Sequence, residues 1–409
     1  MQESISQIKD PLQKIDLLNK AAYALRNSDP KAAQKNSEEA LALSKQLNYK
    51  KGEATAFSNL GFGAMHEAQH DKAFSHLMEA LTLFQELNDD KGISDTQYNL
   101  GVFNLRIANF EQSIDLLHKS LLTREKLNDK VGQATCYFQL AYLNQHFKDL
   151  ESAFENASRS AALLKETNET AALAAALMVL GDVYFKKGDL QNAKELFWES
   201  LELRKKSGEK IGYFVSLLRW ADLQIELKEY DSAREHCNLG IKNAFEENVK
   251  FGVLRFQQIL GRIEVAQNNL QRAKEVYLDA LKNSREFSFK SIEFELLACL
   301  TDIYKKEGNY KEALECYESF HKLKEEVISS ENSAQLKSLR LIGQIEFARK
   351  EADIEKEKNA ELNMAYSIIA LKNKDITDSI HYAKRIQNSL LPTEIYFDRI
   401  LRNCCDNDA

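Results

Sequence analysis

Apolar residues recur along this chain at helical spacing, interrupted by short polar segments that contain turn-forming residues. Between Leu177 and Lys206, for example, apolar positions fall at helical spacing on either side of the segment KKGDL. Gly188 and Asp189 within that segment supply a tight turn. The pattern therefore predicts two helices joined by a short connection, a helical hairpin.

The hairpin pattern repeats every 40 residues without insertion or deletion. Small residues mark three columns of this repeat. Members of the first column are Ala21, Gly61, Gly101, Ala141, Gly181, Ala221, Gly261 and Thr301. The second column runs from Ala33 to Ala313 and the third from Ala40 to Phe320. Small side chains are needed where two helices cross, because a larger group would hold the backbones apart. We therefore expect the columns to mark helix crossings.

Further recurring residues resemble a known repeat. Leucine precedes the first column at Leu60, Leu100, Leu140, Leu180, Leu260 and Leu300, and Tyr184 and Tyr304 follow it by three positions. With the small columns, these residues resemble the tetratricopeptide repeat (TPR), over roughly residues 10–325. The resemblance implies an all-α, right-handed superhelical solenoid of about eight hairpins. The unit is longer than the usual ~34 residues and lacks the closing proline. HEAT and armadillo repeats share the period but lack the paired small columns.

Composition supports a helical protein and narrows its function. The 409 residues include 44% hydrophobic residues, enough for a large core, but only 15 Gly and 3 Pro, which is few for a fold rich in turns. A net charge of −7 argues against a general nucleic-acid binder. Six scattered cysteines, a polar N-terminal segment and the lack of a long apolar run indicate a cytoplasmic protein without membrane insertion.

The repeat ends near residue 325, and a different pattern follows. A seven-residue series continues through Leu362, Ile369, Ile376 and Ala383, while the complementary positions alternate between apolar residues and polar ones such as Asn373. We therefore expect a solenoid over 1–325, a long coiled-coil-like helix over 326–391 and a short tail over 392–409. The long helix would form a parallel homodimer, or alternatively lie partly on the last repeat.

The last stretch of this helix carries a second resemblance. Residues Lys372–Thr393, KNKDITDSIHYAKRIQNSLLPT, resemble the linker helix that leads into bacterial SpoIIE-like serine phosphatases of the PPM superfamily. In those relatives the catalytic domain and its metal-binding aspartates follow the LLP element. Here only 17 residues follow Pro392, so we expect no catalytic domain in this sequence.

Two short motifs suggest chemistry but conflict with the repeat register. The string from His66 to His70 matches the HExxH zinc-protease pattern, which requires one continuous helix. Ala68 and Gln69 align with Gly188 and Asp189 of the predicted turn, so the two histidines should straddle a corner. Gly61-Phe62-Gly63 begins like a dinucleotide fingerprint, but it has no preceding strand and is interpreted as a packing site. We expect no enzymatic activity, metal or cofactor.

A candidate binding surface lies along the first helices of the hairpins, which line the concave face of TPR solenoids. Five residues after the first small column, basic residues recur at Arg26, His66, Arg106, His146 and Lys186. Aromatic and apolar residues accompany them only in the N-terminal half, because the neighbouring column changes to Asp182 and Asp222. The predicted partner-binding residues are Phe62, Tyr98, Val102, Arg106, Phe138, Tyr142, His146 and Lys186. The alternative is that the basic residues only offset helix macrodipoles.

Together these patterns predict a non-enzymatic scaffold or sensor of bacterial signal transduction. It would hold a partner peptide or helix in the concave groove and couple binding to the C-terminal helix. The alternative is a regulatory fragment of a SpoIIE-like phosphatase that lacks its catalytic domain.

Overall fold

The structure, a computed structural model, describes residues 10–26, 28–390, 399 and 401. Within these residues the chain is almost entirely helical and contains no strand, so the predicted all-α fold of stacked repeats is confirmed. The predicted tail over 392–409 lies outside the described residues apart from residues 399 and 401.

The helices follow one another in pairs. The first hairpins are α1 (Pro11–Leu25) with α2 (Pro30–Gln46), α3 (Lys50–His66) with α4 (His70–Glu86), α5 (Asp90–Arg106) with α6 (Phe110–Lys126), and α7 (Lys130–His146) with α8 (Leu150–Lys165). They are followed by α9 (Thr170–Lys187) with α10 (Leu190–Ser207), α11 (Lys210–Glu226) with α12 (Tyr230–Glu246), α13 (Lys250–Ala266) with α14 (Leu270–Glu286), and α15 (Lys290–Glu307) with the start of α16 (Tyr310–Leu390).

The corners between helices are built in nearly the same way throughout the repeat. A residue with left-handed backbone ends most helices, and asparagine, which tolerates this conformation, often occupies the position. After α2, for example, Asn48 has a φ of 53° and the Tyr49 amide donates back to the Ser44 carbonyl at 2.9 Å. Aspartates such as Asp89 then cap the next helix, accepting a hydrogen bond from the Gly92 amide.

The small columns lie where helices cross. A Cβ atom added at Gly61 would lie 2.7 Å from Leu77 Cγ, and one at Gly261 would lie 2.1 Å from Tyr277 Cε1. Leu77 and Tyr277 are themselves buried in the core between the paired helices. The prediction that these residues mark close helix crossings is therefore confirmed at both positions.

Two compact units divide the chain, the first ending at Leu341 and the second beginning at Ile342. Helix α16 runs through the division without interruption, so the predicted boundary near residue 325 falls inside a continuous helix. The second unit carries many exposed apolar side chains along this helix, including Leu362, Ile369 and Ile376. In the described part of the chain, no helix combines the length and apolar character that a membrane span requires.

Candidate functional site: the first-helix face

The predicted partner-binding residues all lie on first helices of consecutive hairpins. Phe62 is on α3; Tyr98, Val102 and Arg106 are on α5; Phe138, Tyr142 and His146 are on α7; and Lys186 is on α9. We call this surface, which the first helices α1 to α15 contribute in turn, the first-helix face. The 40-residue register places residues of the same column on neighbouring helices, so contacts between them connect one hairpin to the next.

A continuous cluster joins the first three hairpins on this face. The Arg26 guanidinium lies 4.5 Å from the centre of the Phe62 ring, and that ring packs 4.6 Å from the His66 ring. Arg106 reaches back from α5, donating to the Met65 carbonyl at 3.1 Å and approaching His66 Nε2 at 3.4 Å. Arg106 and His66 remain exposed on their outer sides, so the cluster presents cationic and aromatic groups together.

The surroundings of His66 favour its neutral form. Burial, together with the charges of Arg106 and Arg26, lowers the pKa of the imidazole below its ordinary value. A guanidinium only donates hydrogen bonds, so His66 Nε2 must accept from Arg106 and the ring proton must be on Nδ1. The permanent positive charge of this cluster therefore resides on Arg26 and Arg106.

Two of the predicted aromatic anchors are less accessible than the sequence indicated. Tyr98 is partly buried against the core of the α6–α7 region, where Gln139 donates to its hydroxyl at 3.3 Å and the Arg124 guanidinium lies 4.9 Å from its ring centre. Phe138 packs against the core between α7 and α9. Tyr142, by contrast, is 55% exposed. The open aromatic area on this face is therefore mainly that of Tyr142 and part of Phe62.

The basic column does not continue as one stripe. His146 packs against Phe110 and Phe147 with ring centres 4.8 and 5.4 Å away, and Lys186 donates to Gln145 at 2.7 Å. His66, Arg106, His146 and Lys186 all occupy the last turn of their helices, where the positive charges of Arg106 and Lys186 also offset the helix macrodipole. The last-turn position therefore suits Arg106 and Lys186 to the helix macrodipole as well as to an acidic partner.

Ion pairs fill the C-terminal half of the same face. Asp182, Asp222 and Arg262 occupy one column of successive first helices, and Arg219 lies between the two carboxylates at 3.4 and 3.8 Å. Arg262 also donates to Asp222. Burial raises the pKa of Asp182, while Arg219 opposes that shift. These two aspartates and two arginines therefore neutralise one another and hold neighbouring helices together.

A row of side-chain amides on the first-helix face was missed by sequence reasoning. Asn19, Asn59, Asn99 and Gln139 lie two residues before the first small column in four successive hairpins. Asn59 donates to the Asn19 carbonyl at 3.1 Å, and Asn99 donates to Ser58 at 3.3 Å. The signal was available, because the amides recur at the same 40-residue spacing as the small residues.

The zinc-protease pattern is divided by a corner, as its register predicted. His66 ends α3, His70 begins α4, and Ala68 between them has a left-handed φ of 56°. The two rings therefore do not share one continuous helix. Within the described residues, no group of three or more potential ligands is placed to hold a metal ion.

The repeat geometry is matched by an established family. The model of the MalT-like TPR region matches residues 109–357, which is more than half of the 409-residue chain. The chain belongs to the MalT-like TPR family. The predicted resemblance to tetratricopeptide repeats is thereby confirmed, whereas the resemblance to a SpoIIE-type linker is not shown. No curated protein sequence matches the chain.

Solved structures show the same fold in proteins of distant sequence. The apo quorum sensor NprR from B. thuringiensis has a TM-score of 0.57 at 17% identity, with 79% of this chain and 90% of NprR covered. A Rap protein complexed with Competence and Sporulation Factor has a TM-score of 0.55 at 14% identity, covering 78% and 99%. The STAND protein PH0952 from Pyrococcus horikoshii, which has a tetratricopeptide repeat sensor, gives 0.60 at 15%, covering 79% of this MalT-like TPR chain and 49% of PH0952.

Proposed function

We propose that this MalT-like TPR protein is a non-enzymatic sensor or scaffold of bacterial signal transduction, acting in the cytoplasm. It binds a partner peptide or helix on the N-terminal half of the first-helix face. The observation that carries this proposal is the contrast between Arg106 and Tyr142, which are open to solvent, and the self-paired charges that begin at Asp182. Structural relatives that include a quorum sensor and a repeat sensor domain support the same role.

The chemistry of this half suits a partner that is partly apolar and acidic. Tyr142 offers a large, rigid apolar surface at little entropic cost, and Arg26 and Arg106 offer charge to carboxylates. The row of amides from Asn19 to Gln139 is not counted among these groups, because its members donate within the solenoid, to Gly52, Asn19, Ser58 and Tyr98, and link neighbouring hairpins. We place the binding surface on Phe62, Val102, Arg106 and Tyr142, with Tyr98, Phe138, His146 and Lys186 at its margins.

We further propose that α16 makes the chain a parallel homodimer through residues 326–391. Leu362, Ile369 and Ile376 recur every seven residues and are 50, 52 and 57% exposed. Asn359 and Asn373 occupy complementary positions of the same seam. Asparagine at such positions favours two strands in fixed register. Partner binding on the solenoid would then be communicated through the geometry of the paired helices.

An alternative partner class follows from the resemblance of Lys372–Thr393 to a phosphatase linker helix. In that case α16 would regulate a SpoIIE-like phosphatase domain supplied by another chain. A neighbouring reading frame that encodes such a domain, and phosphatase activity that changes when the two proteins are mixed, would favour this alternative over a stand-alone sensor.

Affinity capture with matched variants tests the proposed binding surface. The full chain and its Tyr142→Ala variant are used as bait in extracts of the native cells, with Tyr310→Ala as the control because Tyr310 is 74% exposed outside this face. A protein captured by the wild type and the control, but lost with Tyr142→Ala, is the expected result. Equal capture of every protein by all three baits would contradict the assignment.

Light scattering tests the proposed dimer. The full chain should have dimer mass, and Ile369→Asp should give monomer mass because it places a charge in the apolar seam. Leu371→Asp is the control, since Leu371 is 65% exposed on the same helix but outside the seven-residue series. Monomer mass for the unaltered chain would contradict the dimer and leave the binding surface unaffected.

A further inference from the structure

A cavity of about 610 Å³ lies between the first two hairpins. All four helices contribute to its wall, with Ala22 from α1, Ala33 from α2, Leu60 and Ala64 from α3, and His76 from α4. Volumes of ~300–1,000 Å³ are typical of small-molecule sites. The cavity differs from the first-helix face, although Arg26, Asn59 and His66 contribute to both.

The cavity exists because one repeat position lacks its usual side chain. Two residues after the first small column, the later hairpins carry large apolar residues that are at most 2% exposed, namely Phe103, Leu143, Val183, Leu223, Ile263 and Ile303. The second hairpin has Gly63 there, and a Cβ atom built on it would meet nothing within 4 Å. The expectation that Gly61-Phe62-Gly63 is a packing site therefore holds for Gly61 and is wrong for Gly63.

The next hairpin shows what would occupy this space. Phe103 contacts His70 and Phe74 of the preceding hairpin, with ring centres 6.1 and 5.8 Å apart. The residues 40 positions before His70 and Phe74 are Pro30 and Gln34, and both line the cavity. The open space thus corresponds to the place where an apolar side chain packs in the rest of the repeat, which makes it suited to an apolar group supplied by a ligand.

The rim of the cavity carries both signs of charge. Arg26 and Lys72 contribute cations, and Glu38 and Glu67 contribute carboxylates. Each carboxylate accepts from a neutral amide, Glu38 from Gln34 at 2.9 Å and Glu67 from Gln69 at 2.7 Å. The Arg26 guanidinium lies over aromatic rings, at 3.7 Å from the centre of Tyr23. The charges of Arg26, Glu38 and Glu67 therefore meet uncharged groups and remain available to a ligand with charges of its own.

We propose that the cavity binds a small zwitterion with a large apolar side chain, either a free α-amino acid or a short peptide. The apolar side chain occupies the space over Gly63. The ligand's carboxylate faces Arg26 and Lys72, and its ammonium group faces Glu38 and Glu67. The volume accommodates up to ~3 residues, whereas a folded helix would be too large.

Calorimetric titration of the full chain tests the ligand chemistry. The probes are L-phenylalanine and the tripeptide Ala-Phe-Ala, compared with acetyl-Ala-Phe-Ala, which lacks the ammonium group, and Ala-Phe-Ala amide, which lacks the carboxylate. At least one zwitterion should bind saturably, with each singly charged analogue weaker by about tenfold or more. The zwitterion that binds with the higher affinity shows whether the natural ligand is an amino acid or a short peptide. Absence of saturable binding, or equal binding of the analogues, would overturn the proposal.

Matched variants locate the ligand. Gly63→Leu should weaken binding of the zwitterion by about tenfold or more and raise the melting temperature, because leucine fills the cavity and favours the helix. Gly343→Leu is the control, since Gly343 also has open space around it but lies on α16. Lys72→Gln should weaken Ala-Phe-Ala and leave its amide unchanged. Unaltered binding by a folded Gly63→Leu protein would overturn the site.

The outcome is independent of the proposed partner surface. Tyr142→Ala should leave zwitterion binding unchanged, because Tyr142 lies on α7 and the cavity is formed by α1 to α4. The partner-binding proposal is therefore tested by capture with Tyr142→Ala, and the cavity proposal by zwitterion binding to Gly63→Leu. Either proposal can fail while the other holds.

Discussion

The N-terminal and C-terminal halves of the first-helix face are built from the same columns but use their charges differently. In the N-terminal half, Arg26 and Arg106 contact aromatic rings, a carbonyl and a neutral imidazole. In the C-terminal half, Arg219 and Arg262 contact Asp182 and Asp222. A column of charged residues in a repeat protein is therefore available for binding only where neighbouring hairpins do not supply its counter-charges.

The largest expected effect is on stability, in the C-terminal half of the first-helix face, where the charges are paired. Asp222→Lys should lower the free energy of unfolding by about 2–3 kcal/mol, because it removes the shared partner of Arg219 and Arg262 and adds a third cation. Solvent screening limits the effect, because both arginines are nearly half exposed. Urea denaturation measures the change. Asp302→Lys, at an exposed position of the same column, is the control and should change stability by less than about 0.5 kcal/mol.

An effect on partner affinity is expected in the N-terminal half of the first-helix face. Tyr142→Ala should weaken binding of the captured partner by about 1–2 kcal/mol, because an exposed aromatic anchor loses its contact area. The melting temperature should hardly change, since Tyr142 is 55% exposed. Calorimetry with the purified partner, set beside a thermal melt, measures both. A stability loss that equals the affinity loss would show that Tyr142 is a packing residue.

Charged residues in the N-terminal half of the first-helix face should act mainly on the rate of association with the partner. Arg106→Glu should slow association with the partner by about tenfold at low salt, and the difference should shrink as salt is added. Surface plasmon resonance at two salt concentrations measures it. Lys126→Glu, on the second helix α6, is a matched control for net charge. If both variants slow association equally, the partner responds only to the overall charge.

The smallest expected effect concerns pH. Burial and neighbouring cations lower the pKa of His66 and of His76 in the folded protein. The unfolded chain then binds more protons below about pH 6.5, so the stabilising contribution is complete above that pH, decreases as pH falls and levels off below the folded values. Arg106→Gln should raise the pKa of His66 but leave His76 unchanged, as measured by NMR titration. An unchanged His66 pKa would mean that burial and Arg26 lower it without a contribution from Arg106.

Periodicity was sufficient to predict the fold, because each hairpin repeats the same local solution. The small residues at Gly61 and Gly261 and the corner between His66 and His70 follow from register alone. Which side chains are free to bind a partner was harder to predict from the sequence. Tyr98 and Arg219 are placed by contacts with other hairpins, and nothing in their own segments shows that Gln139 or Asp182 lies beside them.

The cavity at Gly63 also could not be predicted from its own segment, although here the missing information concerns an absent contact. A glycine next to the small residue of a repeat normally indicates close packing, and Gly61 fits that rule. Gly63 departs from it because the position two residues after the first column points toward the preceding hairpin, where Phe103 and its equivalents fill the space. Comparing columns between hairpins, rather than inspecting one segment, would have revealed the difference.

Site-specific photo-crosslinking can test directly whether a partner binds to the N-terminal half of the first-helix face. A photoreactive phenylalanine analogue is placed at Tyr142 in one full-length chain and at Asp302, an exposed residue of the same column, in another. Both chains are irradiated in native cells. We expect a partner adduct from position 142 and none of the same mass from position 302. An adduct formed only from position 302, or equally from both, would contradict the assignment of binding to the N-terminal half.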